Sequence, residues 1–238
     1  MGAPTTVYCF APAGAGPSFF APWQGSSVLL DFVAVELPGK ERRFGDLLPG
    51  SMDELVAEIL PQVGGAHAEG GRRAFFGHSF GALTAFATAL ALEEADVGTD
   101  LVLVASGCAK PGVPRSEPIA DLPDDAFVAE VSRLAGYTHP ALDEPELREL
   151  ILPVLRSDAA VHEGYQPPVQ ARLTSPVVAL RGRDDTLVSA GMLAGWRDAT
   201  SAAFSSEELD GRHMYLAEDW RPLIPVLERV LAPEGVNA

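Results

Sequence analysis

The chain has 238 residues, of which 47% are hydrophobic and 21% are charged, a composition that is ordinary for a soluble globular protein. Its formal net charge of −16 argues against nucleic acids and anionic membranes as partners, because both would repel it. No early stretch joins a basic start to a long apolar run, so we expect a cytoplasmic protein with neither a signal peptide nor a membrane span.

Short apolar runs alternate with helical segments along most of the chain. Strands are predicted at Thr6–Phe10, Phe32–Glu36, Ala74–Phe76, Leu101–Ser106, Val177–Arg181 and Ala203–Leu209. Helices are predicted at Ser51–Val63, Ala82–Leu92, Ala190–Asp198 and Asp219–Leu231. This alternation favours one α/β domain, residues 1–238, with a mostly parallel, doubly wound sheet that is buried on both faces.

Residues 77–81, with the sequence Gly-His-Ser-Phe-Gly, lie between a predicted strand and a predicted helix. A strand that turns directly into a helix exposes the central side chain, and small residues two positions to either side let the flanking chains approach closely. This context predicts a nucleophile elbow, with Ser79 as the nucleophile. A glycine and serine loop without chemistry is the alternative.

Residues 110–170 interrupt the alternation of strands and helices. Leu122–Leu134 and Glu144–Arg156 have the pattern of amphipathic helices, and no strand pattern lies between them. Helices inserted between two core strands, after the elbow, are typical of a lid over the site. We expect their apolar faces around Phe127, Val131, Leu134, Leu150 and Val154 to contact a bound apolar group. A packing appendage without a catalytic role is the alternative.

A serine hydroxyl needs a base to accept its proton, and that base needs an acid to orient it. In the α/β-hydrolase arrangement these residues follow in the order serine, acid, histidine. Asp185 follows one predicted strand and His213 follows the next, so both are expected at the sheet edge that carries Ser79. Asp184 is the alternative acid. The other four histidines (His67, His78, His139 and His162) fit the role of base less well.

The oxyanion that forms during acyl transfer needs preorganised backbone N–H donors. Phe80 follows the predicted nucleophile directly and is expected to supply one. Ala13 lies in the loop of small residues after the first strand and is expected to supply the other. This loop lacks the Gly-Lys-Ser/Thr ending of a phosphate-binding loop. Cys9 and Cys108 are predicted to be buried thiols without metal-binding neighbours, and we expect no cofactor.

With these residues in place, the chain resembles the type II thioesterases that accompany polyketide and non-ribosomal peptide synthetases. Cys9–Gly14 resembles the oxyanion-loop motif of that family, and Leu37–Phe44 resembles its Leu-Pro-Gly-Arg-Glu-x-Arg signature, with Lys40 in place of the usual arginine. Leu152–Asp158, together with Glu163 and Tyr165, resembles the stretch that leads out of the lid. The resemblance spans nearly the whole chain.

The resemblance implies an α/β-hydrolase fold and the hydrolysis of acyl thioesters on the phosphopantetheine arm of carrier proteins. Enzymes of this family usually remove aberrant or stalled acyl groups, so the implied partners are the acyl or peptidyl carrier proteins of a synthase. Within the signature, Lys40–Phe44 is either a solvated loop or a basic spot that meets an acidic carrier protein.

Three other functions are also compatible with the sequence. A carboxylesterase or lipase would share the elbow and the fold. A dedicated product-releasing thioesterase would hydrolyse or cyclise one specific intermediate. A binding module without catalysis is the third, although it would have no need for a complete set of Ser79, Asp185 and His213.

Overall fold

Six parallel strands form one sheet in the computed structural model, which describes residues 3–64, 72–95, 100–114, 118–136, 142 and 144–231. The strands are β1 (Thr5–Phe10), β2 (Leu30–Ala34), β3 (Arg73–His78), β4 (Leu101–Ser106), β5 (Val177–Gly182) and β6 (Phe204–Leu209). Their order is β2-β1-β3-β4-β5-β6, and each neighbouring pair is parallel. The predicted α/β fold with a parallel sheet is confirmed, and all six predicted strands are present.

Strand β2 lies at one edge of the sheet, and its bounds differ most from the prediction. Pairing with β1 begins at Leu30, which lies opposite Thr5, two residues before the predicted start. Leu30 and Phe32 are buried, while Asp31 and Val33 are exposed. This alternation places only one set of β2 side chains in the core.

Seven α-helices are described, and they are α1 (Met52–Val63), α2 (Phe80–Glu94), α3 (Asp124–Ala135), α4 (Pro145–Gly164), α5 (Ala190–Ala194), α6 (Tyr215–Glu218) and α7 (Leu223–Leu231). Short 3₁₀ helices cover Pro17–Trp23, Glu41–Arg43 and Gly195–Ala199. The helix predicted at Asp219–Leu231 begins only after Pro222, because a proline disfavours helical geometry in the residue before it. Helix α4 continues eight residues beyond its predicted end at Arg156.

Side chains from alternate positions of the central strands enter two separate cores, one on each face of the sheet. On one face, Phe75 and Leu103 pack with residues of α1 and α2. On the other face, Phe76 packs with Trp23 of the first 3₁₀ helix and with Leu227 of α7. Two covered faces explain why the central strands are continuous apolar runs, and they confirm the doubly wound arrangement.

Helices α3 and α4 form a third apolar cluster with residues 119–122. The side chain of Arg156 on α4 donates to the carbonyl oxygens of Ala120 and Leu122, and that of Glu163 accepts from the N–H of Ile119 at 2.7 Å. These bonds hold the chain entering α3 against α4. That residues 110–170 act as a lid within a single domain stays a prediction.

Both cysteines are buried with free thiols, as predicted. Burial in the apolar interior raises the pKa of the Cys9 thiol well above its usual value. Within the described ranges, no helix is long and apolar enough to cross a lipid bilayer.

Two glycines allow strand β3 to turn directly into helix α2. A Cβ atom on Gly77 would overlap the carbonyl oxygen of Gly81 and lie 2.6 Å from the nitrogen of Ala82. A Cβ atom on Gly81 would overlap the carbonyl oxygen of Phe10 and lie 2.7 Å from that of Ala11. All of these atoms belong to the backbone, so they could not move aside without a large cost in free energy. The absence of a side chain at Gly81 therefore lets the elbow pack directly against the end of β1 and the loop that follows it.

Replacing Gly81 with alanine should therefore destabilise the fold. We expect Gly81→Ala to lower the free energy of unfolding by about 1–3 kcal/mol, as other overpacking substitutions do. Gly164→Ala is the matched control, because a Cβ atom at this helical position meets nothing within 4 Å. Denaturant unfolding followed by circular dichroism measures both variants. Equal stability of the two would contradict the close approach at Gly81.

Candidate active site

Ser79 occupies the sharp turn between β3 and α2. Its backbone has φ 55° and ψ −118°, a conformation that residues other than glycine rarely adopt and that costs about 1–3 kcal/mol. The Ser79 N–H donates to the carbonyl oxygen of Ser106 at 2.8 Å, and its carbonyl oxygen accepts from the N–H of Ala82 at 3.0 Å. Strand and helix thus hold the serine in the geometry that an elbow requires.

The three predicted triad residues lie side by side, with His213 between Ser79 and Asp185. His213 Nε2 lies 3.3 Å from Ser79 Oγ, and His213 Nδ1 lies 2.8 Å from Asp185 Oδ2. With a neutral imidazole, Nδ1–H donates to the carboxylate, which leaves Nε2 to accept the serine proton. Hydrogen bonds of this kind are often long without substrate and tighten when it binds.

Asp185 is buried and makes hydrogen bonds through both carboxylate oxygens. Oδ1 accepts from the N–H of Leu187 at 2.7 Å and from that of Val188 at 3.0 Å, while Oδ2 faces His213. Burial alone would raise the pKa of Asp185, but the hydrogen bond from His213 and those from the two backbone N–H groups outweigh it, so the pKa is lowered. The carboxylate is therefore ionised and can stabilise a charged imidazole.

Asp184, the alternative acid, is exposed, and the carboxylate bonded to His213 is that of its neighbour Asp185. The Asp184 N–H instead donates to the carbonyl oxygen of Gly211 at 2.9 Å. A Cβ atom on Gly182 would lie 2.9 Å from the carbonyl carbon of Arg212. The loops that carry the acid and the histidine are therefore in direct backbone contact.

Arg181 is a residue of the site that the sequence reasoning missed. Its guanidinium is buried and donates to the carbonyl oxygens of Asp185 at 3.3 Å and Arg183 at 2.9 Å, and also to that of Val188. Its Nε atom pairs with Glu208 at 2.7 Å. The side chain braces the loop that positions Asp185. An arginine at the end of an otherwise apolar strand is the signal that could have identified it.

His78 is buried beneath the site and has a packing and hydrogen-bonding role, as expected. Its Nδ1 lies 2.9 Å from Ser106 Oγ, which lies 2.8 Å from the Tyr215 hydroxyl. Burial, with a further contribution from the neighbouring His213, lowers the pKa of His78 to about 3. The ring is therefore neutral at physiological pH.

Of the remaining histidines, only His162 is among the described residues, and it lines the same cavity as Ser79 and His213. His162 lies on α4, where its ring stacks on that of Phe80 with 6.3 Å between the centroids. His67 and His139 lie outside the described residues.

The loop after β1 forms a tight turn at the predicted second oxyanion donor. The N–H of Ala15 donates to the carbonyl oxygen of Pro12 at 3.0 Å, and Gly14 adopts φ 77°. Ala13 lines the same cavity as Ser79. Within the described ranges, neither the Ala13 N–H nor the Phe80 N–H donates to a backbone acceptor in a turn or loop. Their role as the oxyanion hole stays a prediction.

A cavity of about 510 Å³ opens onto Ser79 and His213. Its apolar lining comes mainly from α3, α4 and adjacent residues, namely Ile119, Val131, Leu134, Leu142, Leu150, Ile151, Val154 and Leu155. Four of the five predicted lining residues are among them. The fifth, Phe127, is fully buried under the guanidinium of Arg156, which lies 4.4 Å from the ring centroid.

The segment Lys40–Phe44 does not form a free basic spot. Lys40 is buried and pairs with Asp158 at 2.7 Å. Arg43 pairs at 2.6 Å with both Asp46 and Glu58. Of the three basic side chains, only that of Arg42 is mainly exposed, at 86%.

Among the residues that the structure describes, no group of three or more His, Cys, Asp or Glu side chains is placed to hold a metal ion. A reaction without metal or cofactor stays a prediction.

Comparison with known proteins identifies the relatives of this chain. The family model of the thioesterase domain matches residues 5–231. Thioesterase PikA5 of Streptomyces venezuelae is 35% identical over 220 residues, which cover 91% of this chain and 77% of that protein.

Two solved structures have the same fold. The type II thioesterase BorB from the borrelidin biosynthetic cluster has a TM-score of 0.84 and 28% identity, with 97% of this chain and 94% of BorB covered. ClbQ from the colibactin pathway has a TM-score of 0.86 and 25% identity, with 96% and 97% covered. These comparisons confirm the resemblance to type II thioesterases that the sequence motifs indicated. The chain therefore belongs to the thioesterase family and is a thioester hydrolase.

Proposed function

We propose that this protein is a serine thioesterase that hydrolyses acyl thioesters held on the phosphopantetheine arm of carrier proteins, and that it removes aberrant or stalled acyl groups from a polyketide or non-ribosomal peptide synthase. The observation that carries the proposal is the hydrogen-bonded set of Ser79, His213 and Asp185 beside a largely apolar cavity that Ser79 and His213 line. BorB comes from the borrelidin biosynthetic cluster and ClbQ from the colibactin pathway, and their similarity to this chain supports the assignment to such pathways.

In the first half of the reaction, Ser79 Oγ attacks the thioester carbonyl carbon while His213 Nε2 takes its proton. The N–H groups of Ala13 and Phe80 donate to the resulting oxyanion. When the carbon–sulfur bond breaks, the imidazolium returns its proton to the departing sulfur, and the carrier protein leaves with a free thiol. Asp185 stabilises the imidazolium throughout.

In the second half, a water molecule attacks the acyl-enzyme, and His213 again serves as the base. The proton then passes to Ser79 Oγ as the free acid leaves. A thiolate is a weakly basic leaving group, so a thioester demands less of the general acid than an ester or amide does.

The apolar cavity is the proposed site for the acyl chain, and residues 110–170 are its lid. Apolar pockets discriminate between chains by only about 1–3 kcal/mol per methylene, so we propose broad tolerance of acyl groups. Because the net charge of this chain is −16, an acidic carrier protein would meet it without electrostatic steering and bind weakly. The proposal includes a cytoplasmic location and a reaction without metal or cofactor.

The identity of the acid is tested by a matched pair of variants. Asp185→Asn should lower kcat by about 10³-fold or more, because an amide neither holds the correct tautomer of His213 nor stabilises its charge. Asp184→Asn is the control and should have a mild effect, since its side chain is exposed. Steady-state kinetics on one acyl thioester measures both. A larger loss in Asp184→Asn would move the acid one residue upstream.

The pH dependence of the reaction follows from the groups at the site. Asp185, whose pKa is lowered, and His78, with a pKa of about 3, keep their protonation states across the range of roughly pH 5 to 8 in which histidines ordinarily titrate. Only a neutral His213 accepts the serine proton, so kcat/KM should rise with pH as a single ionisation. His162→Gln should leave the midpoint of this rise in place. A flat profile, or a rise that requires two ionisations, would argue against His213 as the base.

The substrate class is tested with a carrier protein loaded separately with acetyl, propionyl, butyryl and longer acyl groups. Mass spectrometry should detect the free acid from several of these, and Ser79→Ala should release none. Release of only one elaborate intermediate, or of a cyclic product, would instead indicate a dedicated product-releasing enzyme. Faster turnover of p-nitrophenyl esters than of thioesters with the same chain would indicate a carboxylesterase.

A further inference from the structure

The carboxylate of Asp158 joins helix α4 to the loop after β1. Its Oδ2 atom accepts a hydrogen bond from the N–H of Gly14 at 2.7 Å. One turn earlier on the same face of α4, Leu155 lies so close that a Cβ atom on Gly14 would be 3.1 Å from Leu155 Cγ. Gly14 is the third residue of the turn that Pro12 and Ala15 close, and it directly follows Ala13. The orientation of this turn therefore depends on a side chain 144 residues away.

Lys40 holds this carboxylate in place. Its Nζ atom lies 2.7 Å from the same Oδ2 atom of Asp158, and the two side chains are 3% and 9% exposed. The ammonium also lies over the ring of Phe80, 5.6 Å from the centroid. The pair thus contacts Gly14, which is next to one predicted oxyanion donor, and Phe80, which is the other.

We propose that Asp158 is a positioning residue for thioester hydrolysis. Held by Lys40, its carboxylate fixes the N–H of Gly14 and so sets the turn that presents Ala13 to the oxyanion. This inference rests on the proposed function of Ser79 and adds that the helix lining the acyl cavity also orients the oxyanion loop.

A gain in folding stability is a weak explanation for the presence of a buried ion pair such as Lys40–Asp158. Removing two charges from water costs about as much as their attraction returns, and replacing a buried pair with apolar residues is often neutral or stabilising. Removing one partner alone, by contrast, is strongly destabilising because it leaves an uncompensated buried charge. Both charges must therefore be replaced together if the position of the loop is to be tested without the cost of a buried charge.

Two double variants separate these effects. Lys40→Met with Asp158→Asn removes both charges but keeps a side-chain oxygen that can accept from the Gly14 N–H. Lys40→Met with Asp158→Leu removes both charges and the acceptor. Lys110→Met with Asp198→Leu is the control, because this pair at 2.9 Å is exposed and lies outside the cavity. The substrate is the hexanoyl thioester of N-acetylcysteamine.

The leucine variant should lose roughly 10²-fold in kcat, because a small displacement of an oxyanion donor has an effect of this size, while KM stays close to the wild-type value. Binding of an alkyl trifluoromethyl ketone, which forms a tetrahedral oxyanion with the serine, should weaken by a similar factor. Binding of the corresponding methyl ketone should not change. The asparagine variant should lose much less kcat than the leucine variant, because its amide oxygen can still accept from the Gly14 N–H. The Lys110/Asp198 control should behave like the wild type.

Equal activity of the two Asp158 variants, or a loss confined to KM, would overturn the proposal. A wild-type protein without thioesterase activity would instead overturn the proposed function, so the two failures are distinguishable. If the leucine variant does not fold, Asp158→Ala in the Lys40→Met background makes the same comparison with a side chain that cannot overfill the site.

Discussion

Parallel pairing of the strands determines where the functional loops of this protein lie. Because every neighbouring pair is parallel, the carboxyl ends of β1, β3, β5 and β6 lie at one edge of the sheet. The loops that follow these ends carry Ala13, Ser79, Asp185 and His213. The sheet thus brings residues from distant parts of the chain to one edge, and the hydrogen bonds between them only refine the positions that the sheet provides.

Direct backbone contacts between these loops, with no side chain in between, also help to fix the positions of the site residues. Glycine at positions 81 and 182 lets the elbow touch the loop after β1 and lets the acid loop touch the histidine loop. Buried charged groups then fix the loops, with Arg181 on the carbonyl oxygens around Asp185 and Asp158 on the N–H of Gly14. The strained backbone of Ser79 is maintained by this surrounding structure, since the residue alone would relax to an ordinary conformation.

Patterns that are local in the sequence predicted most of the fold and the central residues of the site. The elbow around Ser79 is readable because strand, turn and helix each leave a signature within a few residues. Asp158 and Lys40 were part of recognised motifs, but their pairing was not predictable, since it depends on how α4 packs against loops more than 100 residues away. Phe127 was misassigned for a related reason, because an amphipathic pattern indicates a buried face without indicating which neighbour buries it.

In the proposed reaction, Ser79 attacks the thioester carbonyl and carries the acyl group between the two half-reactions. The most direct measurement is to mix the enzyme with an acyl thioester, quench it in acid before turnover is complete, and determine the mass of the protein and its peptides. We expect the mass of one acyl group on the peptide that contains Ser79, and none in Ser79→Ala. An acyl group on a different residue, or steady turnover by Ser79→Ala, would contradict it.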